Sequence, residues 1–243
     1  MHMKWLLMSM AAVAALAMGP ASAADMPLKA PPAATAPWNW SGIYVGGQGG
    51  VNYGTTQSFD QASGSAITDK YNPVGLLLGG TAGLNRQFGN IVIGAEGDIA
   101  WTNKRDSTHD IAPFNTSFFE QFDERWIATY RGRLGFVFGS RGHWMIYGTG
   151  GGASASVKIA VNSGAGAQIS ETRTLTGWTA GGGVETLLGP NWSLKSEVLF
   201  VRFDDKTYFT PSPNGSFLSN RIVQTDQIIG RVGISYRFSP MGW

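Results

Sequence analysis

The 243-residue sequence contains no cysteine, which excludes a disulfide scaffold and a thiolate metal site. Charge is also scarce. Only 14% of residues are Asp, Glu, Lys or Arg, against about a quarter in ordinary soluble domains. The formal net charge is +2 and the basic residues are scattered, so the chain has no nucleic-acid-binding patch. Beyond the N-terminal residues no run of about 18 apolar residues could form a spanning helix. A membrane, if one is crossed, must be crossed by strands. What is abundant is glycine, with 34 residues, and aromatic side chains, with 9 Trp and 13 Phe. The length allows one large or two small domains.

The N-terminus has the pattern of an exported protein. Met1-His-Met-Lys4 is a short basic region, Trp5 to Met18 an apolar stretch, and Ala21-Ser22-Ala23 a small-residue cleavage site with the cut before Ala24. Residues 1–23 therefore read as a secretory signal peptide and not as an anchor helix, because the apolar run is shorter than a bilayer. Residues 24–37 carry Pro27, Pro31, Pro32 and Pro37. That density disfavours helix and central strand and predicts a short periplasmic tail.

From residue 38 to 238 the chain divides into eight alternating segments. They are Ser41 to Thr55, Pro73 to Phe88, Ile91 to Asn103, Asp123 to Phe138, His143 to Val157, Thr172 to Leu188, Trp192 to Asp205 and Gln224 to Phe238. The third is the cleanest: Ile91, Ile93, Ala95, Ile99 and Trp101 alternate with Glu96, Asp98 and Thr102. The fifth is so rich in glycine that its faces cannot be assigned. Long polar connections (residues 56–72, 104–122, 158–171 and 206–222) alternate with tight turns such as Gly89-Asn90 and Gly139-Ser-Arg-Gly142. An exported N-terminus on the inner side puts every long connection outside and every turn in the periplasm. This predicts an all-β fold, an eight-stranded antiparallel up-and-down transmembrane barrel. A soluble barrel of lipocalin type would carry more charge on its outer face.

One face of each segment is apolar and would meet lipid. The other gathers Glu96, Asp98, Arg131, Arg133, Glu185, Lys195, Glu197 and Arg231. Counting from the periplasmic ends of segments three and four matches Glu96 in depth with Arg133, and Asp98 with Arg131. The expectation is a set of interior ion pairs filling a lumen only wide enough for side chains. Glu96 and Asp98 share a strand face and could form an acid/base pair, but each has an arginine at matching depth, which favours ion pairing. His109 and His143 lack a second ligand at metal spacing. Gly148-Thr-Gly-Gly-Gly-Ala153 fits a nucleotide-binding pattern in letters only, since no helix or ribose-binding acid follows. No catalytic residue, metal or cofactor is expected.

These residues resemble a known group. Trp38-Asn-Trp-Ser-Gly-Ile-Tyr-Val-Gly46, the stretch Gly89 to Trp101, Thr129-Tyr-Arg-Gly-Arg-Leu-Gly135, Gly177 to Glu185 and Asn191 to Phe200 are together similar to the small outer-membrane surface antigens of alphaproteobacteria, often called porin-family or outer-membrane immunogenic proteins. The resemblance implies a structural, surface-exposed barrel of the Gram-negative outer membrane, with a small-solute channel as the alternative. Implied partners are outer-membrane lipid and lipopolysaccharide, periplasmic chaperones and the barrel-assembly machinery, and a host or environmental ligand at the outer loops. Arg231, Gly233, Tyr236 and Phe238 match in spacing the family's assembly signal, although residues 239–243 extend past it. Loop contacts would fall to Phe59, Phe114, Phe118, Phe119, Tyr208, Phe209 and Phe217.

Overall fold

The computed structural model describes residues 38–163, 168–209 and 220–238. The signal-peptide residues Ala21, Ala23 and Ala24, the Pro-rich stretch, Phe217 and the extension after Phe238 lie outside the described residues. Among the described residues ten strands are formed: β1 (Gly42–Asp60), β2 (Val74–Phe88), β3 (Ile91–Thr102), β4 (Arg105–His109), β5 (Phe119–Phe138), β6 (Trp144–Asn162), β7 (Gln168–Leu187), β8 (Trp192–Phe203), β9 (Lys206–Tyr208) and β10 (Arg221–Arg237). They make eight staves, because β4 continues β3 along the edge of β5, and β9 continues β8 along β10. Each stave pairs antiparallel with the next. The ring closes where β1 meets β10, in continuous register from Tyr44↔Arg237 to Asp60↔Arg221. No sheet edge is left open to lipid, which could not satisfy it.

Tight turns join the staves at the periplasmic end. At Gly89 the φ of 59° lies in the left-handed region, which glycine enters without a Cβ penalty. Within the wall, a Cβ on Gly151 would overlap the Tyr130 carbonyl oxygen on the neighbouring strand, so glycine lets β5 and β6 approach in this tightly curved barrel.

The lipid-facing belt is the expected one. Leu78, Trp101, Tyr130, Leu134, Phe136, Trp192, Val232 and Phe238 all project outward and are exposed. Tyr236 lies edge-on to both Trp192 and Phe238, at centroid distances of 5.1 and 5.3 Å, and completes an aromatic cluster at the periplasmic rim.

The strands run further than the sequence pattern indicates. A spanning strand needs about 9–11 residues, whereas β5 and β7 have 20 each and β1 and β6 have 19 each. Most of residues 56–60, 105–109, 119–122, 158–162 and 168–171, expected as loop, is wall standing above the bilayer. On β6 the polarity of the alternation is inverted. In β6, Ala155, Val157, Ile159 and Val161 point inward and are buried, while Ser154 and Lys158 face out. On β6 the wall above the lipid follows the rule of a soluble barrel, apolar in and polar out, whereas β1 turns Thr56, Ser58 and Asp60 inward and β5 turns Glu120 and Glu124. In β5 the change of face is made by a bulge, with Arg125 unpaired between Glu124 and Trp126, which shifts the period-2 alternation by one residue.

Candidate functional site

The lumen has three layers. At the periplasmic end Trp40 is buried against Val92, Val137, Met145, Tyr147 and Leu187. Its indole Nε1 donates to the Gly142 carbonyl at 2.9 Å, its backbone N–H to Gln87 Oε1 at 2.7 Å, and the Trp38 N–H to the Arg141 carbonyl at 3.1 Å. Residues 38–40 thus floor the barrel. Toward the outer end the interior holds an apolar cluster, built from Phe122, Val157, Ile159, Leu175, Val201, Phe203, Tyr208 and Val223 among others.

Between these layers lie all eight charged residues expected in the interior. Arg131, on β5, is central: its guanidinium reaches Glu96 at 2.5 Å, Asp98 at 2.9 Å and Glu197 at 2.9 Å. Arg231, on β10, clamps Asp98 at 2.8 Å and Glu197 at 2.5 Å. Lys195 Nζ is 2.6 Å from Glu96, and Arg133 is 2.6 Å from Glu185 and 3.6 Å from Glu96. Tyr44 and Tyr147 donate to Glu96 and Glu197 at 2.7 and 2.9 Å, Thr129 to Asp98 at 2.6 Å, and Ser193 to Glu185 at 2.7 Å. Four carboxylates (Glu96, Asp98, Glu185, Glu197) meet four cations (Arg131, Arg133, Lys195, Arg231), so the formal sum is zero. All eight are buried. Mutual pairing with further hydrogen bonds is the condition under which charge survives without water.

The pairing differs in register from a count along the strand ends. Glu96 lies directly across from Arg131, and Arg133 across from Gly94. A closed barrel staggers neighbouring strands by its shear, so equal distance from the periplasmic ends does not mean equal depth. Arg133 reaches Glu96 only at 3.6 Å, and its short contact is with Glu185 on β7.

A second polar set, missed in the sequence because it lies in stretches read as connections, binds the outer ends of the staves together. Arg221 pairs with Asp110 at 2.6 Å and Glu120 at 2.9 Å, and Glu120 accepts from Ser58 at 2.7 Å and Tyr71 at 2.9 Å. Burial opposes the Arg221 charge, yet Asp110 and Glu120 hold its pKa above the ordinary arginine value. Burial, then the Glu120 charge, pushes the Tyr71 phenol well above its ordinary range. Closer to the charged layer, Lys104 lies 3.0 Å from Glu124, which also takes hydrogen bonds from Asn52 (2.8 Å) and Gln227.

The remaining sequence candidates separate. Tyr208 and Phe209 are buried in the outer core and Phe118 packs against it, so the first two are core residues and not surface contacts. Phe59, Phe114 and Phe119 are half-buried at the outer end. Gly148 to Ala153 lies within β6, with no helix to receive a phosphate. His109 and His143 lie tilted against Phe119 and Trp144, ring centroids 6.0 Å apart in each pair, and among the described residues no three His, Asp or Glu side chains gather as metal ligands. At the last strand Arg231 enters the charged layer, Gly233 lies against the Gly47 carbonyl, and Tyr236 and Phe238 form the rim cluster.

Residues 11–238 match the family described as "Outer membrane protein beta-barrel domain". The chain is 33% identical over 243 residues to the "31 kDa outer-membrane immunogenic protein" of Brucella melitensis biotype 1, covering 94% of this chain and 98% of that one. It is 28% identical over 181 residues to the "22 kDa outer membrane protein" of Rhizobium leguminosarum bv. viciae, covering 74% and 71%. Among solved structures it is similar to the outer membrane protein OprG from Pseudomonas aeruginosa, with a TM-score of 0.49, 15% identity, and coverage of 83% and 98%.

Proposed function

The chain belongs to the outer-membrane β-barrel family, and from that premise we propose that it is a closed, non-conducting envelope barrel that displays its outer wall and loops at the cell surface. The observation that carries this reading is the buried, charge-balanced layer centred on Arg131 and Arg231, whose ion pairs cross the lumen from β3 to β5, β8 and β10. An ion entering there would have to displace side chains that already satisfy one another, with apolar layers above and below. The family relatives are named as outer-membrane immunogenic proteins, which fits display as the task of the outer end. In this reading the long-range partners are outer-leaflet lipid, lipopolysaccharide and a host or environmental ligand at the outer loops. Periplasmic chaperones and the barrel-assembly machinery act during biogenesis, with Arg231, Gly233, Tyr236 and Phe238 as the signal the machinery reads.

The protein is not an enzyme in this proposal. Glu96 and Asp98 are each held by two or more cations, which leaves neither free to take a proton from a substrate. Single-channel recording in planar bilayers tests the closed lumen. Silence is expected, and steady openings altered by Arg131→Ala or Arg133→Ala would overturn it in favour of a small-solute channel. Turnover of peptide or phospholipid that disappears in Glu96→Gln would overturn the non-enzymatic assignment.

A further inference from the structure

The outside of the wall just above the lipid belt carries an uneven charge that the closed-barrel reading leaves unused. In register, Arg105 on β4 lies across from Asp123 on β5, and Asp123 across from Lys158 on β6. Three charged side chains therefore form one outward row around three staves. Arg105 Nε is 3.3 Å from Asp123, and its side chain is 73% exposed. The bulge adds Arg125, exposed and one step nearer the lipid. Immediately below are Trp101 and Trp126, cross-strand partners on β3 and β5. Three cations against one carboxylate give this face a formal charge of +2. On β8 and β10 the outward pair above the belt is Arg202 and Asp226, 3.5 Å apart, and its sum is zero.

Trp side chains favour the depth of lipid headgroups, so the row above them stands where the charged part of the outer leaflet lies. Exposed cations there attract anionic headgroups, and guanidinium groups suit phosphate oxygens in particular. Asp123 offsets only one of the three cations, and the bulge turns Arg125 outward beside Trp126 where a regular strand would carry one residue fewer. We propose that the face formed by Arg105, Arg125 and Lys158 above Trp101 and Trp126 is a binding site for the phosphate-bearing headgroup of an outer-leaflet glycolipid. The acyl chains lie down the apolar outer surface just below the two tryptophans, where Ile99 on β3 and Tyr130 on β5 are exposed. This inference rests on the outer-membrane reading, which sets the long ends of the staves outside.

The test is lipid titration of the exported chain, refolded in detergent micelles, followed by native mass spectrometry. The probes are bis-phosphorylated lipid A and its dephosphorylated form. The wild-type protein should bind the phosphorylated lipid more tightly. Arg105→Gln, Arg125→Gln and Lys158→Gln together should weaken that binding at least about tenfold, since each surface cation near anionic lipid is worth roughly fivefold. Arg202→Gln should leave it unchanged, and added salt should weaken the wild-type complex. Equal binding of both lipids, or a triple variant as tight as wild type, refutes the site. A heat-modifiable barrel that binds no lipid A refutes this inference alone, whereas a chain that forms no such barrel overturns the closed-barrel reading as well.

Discussion

Removing Arg131 should destabilise the barrel far more than removing any exposed charge. The substitution Arg131→Met deletes three ion pairs of 2.5 to 2.9 Å and leaves four buried carboxylates against three cations. Arg231 still holds Asp98 and Glu197, and Lys195 still holds Glu96, so the layer is left with one uncompensated negative charge. Breaking a buried pair in this way costs about 3–5 kcal/mol, against about 0–1 kcal/mol for an exposed pair such as Arg202 with Asp226. In urea unfolding of the protein in lipid vesicles, followed by heat-modifiable gel mobility and Trp fluorescence, a loss of about 4 kcal/mol with a slope of about 2 kcal/mol/M lowers the midpoint by about 2 M. Adding Glu197→Gln to Arg131→Met restores three charges of each sign. The double variant should therefore recover at least about 1 kcal/mol, the size of coupling found between contacting charges. A single-variant loss below about 1 kcal/mol, or a double variant weaker than the single one, would refute charge balance as what holds the lumen together.

Other parts of the molecule give separate expectations. Trp40→Ala removes the floor's largest buried side chain and should cost about 3–5 kcal/mol, read in the same urea assay, with no change in surface proteolysis of the outer loops. Tyr208→Ala should destabilise the barrel by a comparable amount because Tyr208 is buried in the outer core, whereas Phe114→Ala, half-buried in a connection, should cost clearly less; equal losses would contradict the layered interior. Gly151→Ala should reduce the yield of heat-modifiable barrel, because its Cβ would overlap the Tyr130 carbonyl and backbone must move. The Tyr71 phenol has its pKa raised in the folded protein, so its contribution is complete below the unfolded value of about 10 and is lost as pH rises beyond it. Tyr71→Phe should therefore flatten the decline of stability above about pH 10, and an unchanged slope would place the titration elsewhere.

The alternation read from residues predicts the part of each stave that faces lipid, because there the solvent outside is apolar and the contrast between faces is sharp. Ile91 to Trp101 shows it at its clearest, and the structure turns those side chains outward with Glu96 and Asp98 inward. Above the bilayer the contrast inverts on β6 and is lost on β1, whose inward side chains there are Thr56, Ser58 and Asp60, so a pattern with Lys158 and Thr172 on its outer face reads as a polar loop. The bulge at Arg125 hides the inversion further, since it shifts the pattern by one residue within a single strand. In β6 the difficulty is different: Gly148, Gly150, Gly151 and Gly152 have no side chains to alternate, and the face of this stave becomes plain only from its partners, Tyr130 and Trp178 across from Gly152. Charge was legible as a set and only in part as pairs: Asp98 meets Arg131 at 2.9 Å as expected, while Arg133 reaches Glu96 only at 3.6 Å and makes its short contact with Glu185. The eight residues follow from the inward face alone, whereas their partners depend on the stagger between strands, which no single segment records.

The layered interior explains why the set is balanced. A charged layer open to water at either end could tolerate an odd charge, since hydration would screen it. Here all eight charged side chains are buried, so an unmatched ion would carry a desolvation penalty of several kcal/mol with nothing to offset it. Neutrality within the layer then becomes a condition of folding, and sequence change in the lumen must come in compensating pairs. No such condition holds on the outside of the wall above Trp101 and Trp126, where side chains face water or headgroups and each can change alone. The same chain thus has an interior that resists single substitutions and an exposed outer face that accepts them, the division a surface-displayed barrel needs if that face is to vary while its closure does not.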